Sequence, residues 1–78
     1  MRFVVTGGSG FYGINQIRQL LARGQDVVSF DRLPFDYPEK DRVRVVVGDI
    51  RDAAALAKAC EGADVVIHAA AALPLYTE

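Results

Sequence analysis

Apolar residues in this chain fall into four short, nearly continuous runs. These runs occupy residues 2–6, 26–30, 42–47 and 64–68. Continuous rather than alternating runs of this length are typical of strands that are covered on both faces of a sheet. In the third run, Arg42 and Arg44 alternate with valines, which is typical of a strand at a sheet edge. The pattern therefore predicts four short strands.

Two segments between these runs have helical spacing. In the first, apolar side chains recur along one predicted helix face, at Phe11, Ile14, Ile17, Leu20 and Leu21. Gly24 follows this segment and is a typical C-terminal cap. In the second, Asp52 is a good N-cap for a helix over residues 53–60, which Gly62 closes. The sequence therefore predicts two helices, the first ending at Arg23.

Residues 32–41 interrupt the alternation of strands and helices. They contain Pro34, Pro38 and several charges, and they predict a loop with room for one helical turn. Such a connection is short for two parallel strands, which normally need a dozen or more residues between them. The order strand–helix–strand–loop–strand–helix–strand predicts an α/β fold with a parallel sheet and right-handed crossovers.

Composition excludes several classes of protein. Seventy-eight residues form at most one small domain, and 51% hydrophobic residues exclude a disordered chain. A net charge of −1 with mixed signs gives no basic patch for nucleic acid or a membrane surface. The longest apolar run, residues 69–75, is far too short to span a bilayer, and no targeting segment is recognisable. We therefore expect a cytoplasmic protein that binds neither nucleic acid nor a membrane.

The single cysteine and single histidine add little chemistry. One His and one Cys cannot build a zinc site, so no metal site is predicted. Cys60 lies on the apolar side of the second predicted helix, which indicates a core residue. A lone cysteine also fits a reducing compartment.

The stretch from Thr6 to Gly13 carries the clearest chemical signal. Its sequence, Thr-Gly-Gly-Ser-Gly-Phe-Tyr-Gly, joins a predicted strand to a predicted helix. A glycine turn in that position presents free backbone N–H groups to a phosphate. The spacing fits a dinucleotide turn that begins at either Gly7 or Gly8, and the glycines alone do not choose between them. No Gly-Lys-Ser/Thr follows, which excludes a nucleoside-triphosphate P-loop.

Asp31 lies where a dinucleotide site needs a carboxylate. In an open parallel sheet, ligands bind beyond the carboxyl ends of the strands, and Asp31 follows the second strand, 18 residues after Gly13. A carboxylate there accepts hydrogen bonds from the adenosine ribose and repels a 2′-phosphate, which favours NAD over NADP. The neighbouring Arg32 weakens that preference because it could pair with the phosphate. The alternative is that Asp31 merely ends a strand.

The ends of the third and fourth strands have two interpretations each. Asp49 could accept a hydrogen bond from an adenine amino group, or it could simply form a turn after Gly48. Ala69, Ala70 and Ala71 leave room for a flat ligand, or they pack a strand end tightly. His68 at a strand end is more often structural than catalytic.

Four stretches together carry a resemblance to a known family. They are Thr6–Gly13, Phe30-Asp31-Arg32, Gly48-Asp49-Ile50-Arg51-Asp52 and Ile67-His68-Ala69-Ala70-Ala71. In order and spacing this set resembles the extended short-chain dehydrogenases/reductases, the NAD-dependent epimerase/dehydratase family. The resemblance implies the N-terminal half of a Rossmann-like parallel sheet with strand order 3-2-1-4. It also favours a turn built on Gly7, Gly10 and Gly13.

The same resemblance implies a role for each matching residue. The pyrophosphate would be surrounded by the backbone of Gly7, Gly10, Phe11, Tyr12 and Gly13. The adenosine ribose would be held by Asp31 and Arg32, the adenine would lie between Asp49 and Ile50, and the path to the nicotinamide ribose would be lined by Ala69, Ala70 and Ala71. Members of the family usually act on nucleotide-sugars by transient hydride transfer to bound NAD.

The chain departs from the family pattern in one respect. The catalytic Ser/Thr and Tyr-x-x-x-Lys of the family are not among these 78 residues. Residues 1–78 are therefore expected to be the N-terminal cofactor-binding part of a larger enzyme and not to catalyse alone. A non-enzymatic NAD(P) sensor of the same fold is the alternative. S-adenosylmethionine as the ligand is disfavoured by Thr6 and the Gly-x-x-Gly spacing.

The predicted topology also has a consequence for association. The fourth strand, residues 65–67, would form an unpaired apolar edge of the sheet. Such an edge can pair with another chain. We therefore expect self-association through this edge or through residues 69–76.

Overall fold

The computed structural model of the chain describes residues 1–69. Four strands alternate with two α-helices and one 3-10 helix. In chain order the elements are β1 (Arg2–Thr6), α1 (Phe11–Ala22), β2 (Asp26–Asp31), the 3-10 helix (Pro38–Arg42), β3 (Arg44–Val47), α2 (Ala53–Ala59) and β4 (Val65–His68). The predicted order of elements is confirmed. Predictions for Ala70, Ala71 and the residues after them lie outside the described residues.

The four strands form one parallel sheet in the order β3-β2-β1-β4. β1 is central and pairs with both β2 and β4, so that Val4 lies between Val28 and Val66. Because all strands run the same way, their carboxyl ends meet at one edge of the sheet. The Rossmann-like topology and the strand order 3-2-1-4 are both confirmed.

Each face of the sheet is covered by one α-helix. Val5 of β1 packs in a buried cluster with Ile17 of α1. Val4 and Phe30 point to the opposite face of the sheet, where they pack in a second buried cluster with Ala59 of α2. Successive strand residues point to opposite faces, so cover on both faces requires apolar residues at consecutive positions. This explains why the apolar runs are continuous.

The helix ends follow the predicted capping signals. The Asp52 side chain accepts a hydrogen bond from the Ala55 backbone N–H at 3.2 Å, which caps α2. Gly24 and Gly62 follow the two helices with φ of 75° each, a conformation that favours glycine. Cys60 is the C-cap of α2 and packs, partly buried, against the cluster on that face.

The connection between β2 and β3 is a loop with a single 3-10 helix, as predicted. It still fills the space that a crossover helix would cover, because Phe35 and Val43 are buried in the cluster beneath α1. β3 begins at Arg44 rather than at the predicted residue 42. Arg42 instead ends the 3-10 helix, and Val43 turns into the core before the strand starts.

The prediction that Phe11 lies on the buried side of α1 is wrong. Phe11 is 76% exposed, whereas Ile14 and Ile17 on the same helical stripe are buried. The helix begins at Phe11, so its first turn lies at the carboxyl edge of the sheet, where it faces a cavity and not the core. The only aromatic contact of Phe11 within residues 1–69 is with Tyr12, edge to face, with ring centroids 5.6 Å apart.

Within residues 1–69, no helix has the length and apolar character needed to cross a membrane. The same part of the chain contains no group of three or more His, Cys, Asp or Glu residues that could hold a metal ion.

Candidate functional site

Three glycines of the turn after β1 are held together by the carbonyl group of Gly7. Gly7 has φ of 73°, and its N–H donates to the Phe30 carbonyl of β2 at 2.8 Å. The Gly10 N–H donates to the Gly7 carbonyl at 3.0 Å. A Cβ on Gly13 would be 2.0 Å from that same carbonyl oxygen. The turn geometry therefore rests on Gly7, Gly10 and Gly13.

Gly8 is required for a different reason. A Cβ there would be 2.2 Å from Ser29 Oγ and 2.9 Å from Ser29 Cβ, on the neighbouring strand β2. Ser29 is buried, and its hydroxyl makes no hydrogen bond within the described part of the chain. The doubled glycine thus combines a turn position with a close contact between turn and sheet. The contact between Gly8 and Ser29 could not be predicted, because no sequence pattern marks a serine inside a strand as the neighbour of a turn.

The first turn of α1 offers backbone donors to a ligand. The first intrahelical bond runs from the Ile14 N–H to the Gly10 carbonyl at 2.9 Å, so the N–H groups of Phe11, Tyr12 and Gly13 precede the ladder. No side chain among residues 1–69 caps this end, and its first turn contains no acidic residue. Uncapped N–H groups and the positive end of the helix dipole together favour an anion such as a phosphate.

Asp31 joins the glycine turn to the segment after β2. Its Oδ2 accepts a hydrogen bond from the Ser9 N–H at 3.0 Å, and its Oδ1 accepts one from the Leu33 N–H at 3.1 Å. A carboxylate has about four lone-pair sites, so each oxygen keeps one for a ligand hydroxyl. The side chain therefore organises the loop and can still accept hydrogen bonds from a ribose.

Asp49 is held by Arg51. The Arg51 Nη2 donates to Asp49 Oδ2 at 2.8 Å, the Arg51 Nε lies 3.2 Å from both oxygens, and the Arg51 backbone N–H donates to Oδ1 at 2.9 Å. The side-chain hydrogen bonds of Arg51, followed by that backbone bond, lower the pKa of Asp49 to about 2. The backbone bond is ordinary turn chemistry, so Asp49 forms a turn and also presents an ionised carboxylate at the strand end.

His68 is tied to the sheet through Thr6. The Thr6 hydroxyl is buried, and its oxygen lies 2.9 Å from His68 Nδ1 and 3.4 Å from the Ile67 carbonyl oxygen. The Ala69 N–H donates to the Thr6 carbonyl at 3.0 Å, which continues the β1–β4 pairing past the strand end. This arrangement supports the structural interpretation of His68.

Two adjoining cavities open at the carboxyl edge of the sheet. The first, about 520 Å³, is lined by Gly7, Asp31, Arg32, Gly48, Asp49, Ile50 and Arg51. The second, about 320 Å³, is lined by Gly7, Gly10, Phe11, Tyr12, Gly13, Asp31 and Ala69. Gly7 and Asp31 line both cavities, so the glycine turn and the ends of the other strands border one groove.

All ten predicted site residues within the described part of the chain line this groove. Two lining residues were missed. Gly48 makes room for the core, since a Cβ there would be 2.9 Å from the Phe30 ring. Arg51 is an exposed residue of a turn, and the sequence does not indicate that its side chain folds back onto Asp49. The predicted Ala70 and Ala71 lie outside the described residues.

The groove has the chemistry of a dinucleotide site. Open N–H donors at a helix start suit a pyrophosphate, a hydrogen-bonded carboxylate at the end of β2 suits a ribose, and Ile50 with Asp49 offers an apolar face beside a polar edge. A side chain on Gly13 would occupy the place where the turn meets the helix. The residues present therefore fit a group such as NAD.

Comparison with known proteins identifies the family of this chain. Residues 3–77 match the NAD dependent epimerase/dehydratase family. A 3-beta-hydroxysteroid dehydrogenase of Mycolicibacterium neoaurum is 46% identical over 74 residues, covering 95% of this chain and 20% of that protein.

Solved structures share the fold as well. A short-chain dehydrogenase/reductase superfamily protein from Agrobacterium tumefaciens, with bound NAD, has 31% identity and a TM-score of 0.76 over 87% of this chain and 20% of that one. Thermus thermophilus UDP-glucose 4-epimerase, in complex with NAD, has 34% identity and a TM-score of 0.72 over 88% of this chain and 24% of that one. The chain spans about a fifth of the length of these proteins. By sequence and by fold, it belongs to the NAD dependent epimerase/dehydratase family.

Proposed function

We propose that this chain binds NAD through the adenosine and pyrophosphate half of the cofactor, as part of an enzyme that works by hydride transfer. One observation carries the proposal. Gly7 and Asp31 border both cavities, so a phosphate at the start of α1 and an adenosine beside Asp49 would occupy neighbouring parts of the same groove. A dinucleotide needs a phosphate-binding turn and an adenosine-binding strand end in one groove, which is the arrangement seen here.

The roles follow from position along the groove. Gly7, Gly10, Phe11, Tyr12 and Gly13 surround the pyrophosphate with backbone groups, and Ala69 lines the path toward the nicotinamide ribose. For Ala70 and Ala71, which lie outside the described residues, the same role is proposed from the family resemblance alone. Asp31 and Arg32 hold the adenosine ribose. Asp49 and Ile50 hold the adenine. The nicotinamide, when bound, supplies the hydride acceptor.

The preference for NAD over NADP rests on Asp31. Its two oxygens each accept one backbone N–H beside the place of the ribose, so a 2′-phosphate would meet the carboxylate there. Arg32 is exposed and makes no ion pair within residues 1–69, so it remains available to a phosphate. Because the Asp31 carboxylate is hydrogen-bonded to the Ser9 N–H of the glycine turn, we assign the preference to Asp31.

For the whole protein, we propose a nucleotide-sugar substrate and transient oxidation of a sugar hydroxyl by NAD. The likeness to UDP-glucose 4-epimerase supports this class. A hydroxysteroid is the second candidate, favoured by the 46% identity to a 3-beta-hydroxysteroid dehydrogenase. Both likenesses cover only a fifth to a quarter of the relative, so each bears on the cofactor more directly than on the substrate.

Calorimetric titration of the chain with NAD, NADP and S-adenosylmethionine tests the proposal. We expect saturable binding of NAD, weaker binding of NADP and no binding of S-adenosylmethionine. Tighter binding of NADP would contradict the role of Asp31. Absence of binding by any dinucleotide would contradict the proposed function.

We also propose that this chain self-associates through the free edge of β4. Within the described residues, β4 pairs only with β1, and Val66 is 40% exposed. Unpaired strand edges with apolar side chains associate, whereas charged ones resist association. Sedimentation velocity should detect a dimer that Val66→Lys weakens. A stable monomer at high protein concentration would contradict the proposal.

A further inference from the structure

Every polar group of Ser9 is bound to the end of β2 or to the segment that follows it. The Ser9 N–H donates to Asp31 Oδ2 at 3.0 Å, and the Ser9 hydroxyl lies 3.1 Å from the Leu33 carbonyl and 3.0 Å from the Pro34 carbonyl. The Ser9 carbonyl accepts a hydrogen bond from the Tyr37 hydroxyl at 2.6 Å. Ser9 is the one residue of the turn between Gly7 and Gly10 that carries a side chain, and all its bonds point to residues 31–37.

Tyr37 is itself held in place from two sides. Its ring packs edge to face on Phe35, with centroids 4.9 Å apart, and Phe35 is only 2% exposed. On the other side, the Arg18 guanidinium of α1 lies 5.9 Å from the ring centroid. Arg18 in turn binds Glu39 of the 3-10 helix at 2.6 Å. The Tyr37 hydroxyl therefore reaches Ser9 from a ring that is packed against the core.

We propose that Tyr37 is a positioning residue for the cofactor and acts through Ser9 on Asp31. The Tyr37 hydroxyl holds the Ser9 carbonyl, and so restrains the Ser9 backbone, whose N–H in the preceding peptide unit holds one oxygen of the Asp31 carboxylate. The Leu33 N–H holds the other oxygen. A carboxylate held in one orientation loses less conformational entropy when it accepts a ribose hydroxyl. This inference rests on the proposed function, because it assigns a role within the NAD site.

The pyrophosphate half and the ribose half of the site are therefore coupled. The glycine turn that supplies N–H groups to the pyrophosphate and the carboxylate that accepts the ribose are attached to each other through Ser9. Tyr37 stabilises the glycine turn and the Asp31 carboxylate only while the hydrogen bond between Ser9 and Asp31 is intact. Loss of its hydroxyl should therefore weaken a ligand that needs Asp31, and the loss should disappear when Asp31 is absent.

Tyr37→Phe is the direct test because it keeps the ring on Phe35 and under Arg18 and removes only the bond to Ser9. We expect its affinity for ADP, measured by calorimetry, to fall about 3- to 10-fold, the effect of one ordinary hydrogen bond. In an Asp31→Ala background, the same replacement should change the affinity less than about 2-fold. Equal losses in both backgrounds would overturn the inference.

Asp64→Ala is the matched control. It removes a 2.8 Å hydrogen bond from the Arg2 N–H at the opposite end of the sheet, so it should lower the melting temperature without changing ADP affinity. A fall in affinity for this control equal to that of Tyr37→Phe would show general destabilisation and would overturn the positioning role. If Tyr37→Phe does not fold, Ser9→Ala removes the two bonds from the Ser9 hydroxyl to the Leu33 and Pro34 carbonyls and keeps the Tyr37 bond to the main chain. Unchanged affinity there would contradict the coupling through Ser9 on which the proposal depends.

The wild-type chain separates the two levels of inference. Failure of wild type to bind NAD or ADP would overturn the proposed function and this inference with it. Binding by wild type with unchanged affinity in Tyr37→Phe would overturn the positioning role alone.

Discussion

The carbonyl oxygen of Gly7 occupies the space that any side chain on Gly13 would need. A Cβ on Gly13 would lie 2.0 Å from that oxygen and 2.7 Å from the Gly8 Cα, and both of these are backbone atoms. Backbone atoms that belong to a hydrogen-bonded turn cannot move aside as a flexible side chain can. This fold therefore requires a glycine at position 13, where the start of α1 packs against the Gly7 carbonyl.

Gly13→Ala should consequently destabilise the chain by about 2 kcal/mol or more, since overpacking against backbone is not relieved by rotamer changes. Gly10→Ala is the control, because a Cβ there would be 3.5 Å from the Gly7 oxygen and φ is −86°. It should cost less than about 1 kcal/mol, the scale of a changed N-cap. Urea unfolding followed by circular dichroism measures both. Equal stability of the two variants would contradict this account of the turn.

Ser29 offers a test by double substitution. Its buried hydroxyl has no partner within residues 1–69, so Ser29→Ala should stabilise the chain by up to about 1 kcal/mol. Gly8→Ala alone should destabilise it, because the new methyl group would meet that hydroxyl. Combined with Ser29→Ala, the cost of Gly8→Ala should fall by at least about 0.5 kcal/mol, although the Cβ of residue 29 remains close. Strictly additive effects would show that the hydroxyl is not the obstacle.

Asp49 and Arg51 give a prediction in pH. The pKa of Asp49 is lowered to about 2, chiefly by the side-chain hydrogen bonds of Arg51, from an ordinary value of 3.8. A lowered pKa in the folded state stabilises that state above pH 3.8, and the contribution is lost as the pH falls from 3.8 to about 2. In Arg51→Gln, the pKa of Asp49 should rise toward 3.8, as measured by NMR of the carboxyl carbon. Lys58→Gln, on α2, should leave it unchanged.

At neutral pH, Arg51→Gln should be almost as stable as wild type. The Arg51 side chain is 82% exposed, and ion pairs at such exposed positions contribute little to folding. A large loss of stability in Arg51→Gln would therefore indicate a structural role that these contacts do not explain.

Asp31 gives a prediction in cofactor preference. Asp31→Asn removes the charge that a 2′-phosphate would meet, so the ratio of NADP to NAD affinity should rise about 10-fold or more. The amide has only one acceptor oxygen for the two N–H groups of Ser9 and Leu33, so some stability should be lost as well. Asp26→Asn, at the other end of the same strand, is the control and should leave the ratio unchanged. An unchanged ratio in Asp31→Asn would assign the preference to another residue.

Much of this architecture could be predicted because it depends on local signals. Continuous valine runs mark strands with two buried faces, and capping residues such as Asp52 and Gly24 mark helix ends. The place of Asp31 and Asp49 at strand ends follows from topology alone, once the sheet is known to be parallel.

The remaining features depend on contacts between distant residues. Helical spacing places Phe11 on the apolar stripe, but it does not reveal that the first turn of α1 lies beside a cavity. The bond from Tyr37 to Ser9 spans 28 residues, and the contact of Gly8 with Ser29 depends on the pairing of two strands. Neither pair has a spacing or motif that a single sequence would display.

The central position of β1 bears on how the chain folds during synthesis. β1 is translated before both of its partners, since it pairs with β2 on one side and with β4, about sixty residues later, on the other. Until β4 has been translated, one side of this central strand lacks its partner, and its unpaired backbone is exposed to other chains. Pairings of such large sequence separation form slowly. β1 is therefore made before its partners and completed only after β4, and the interval is when a nascent chain most needs protection from aggregation.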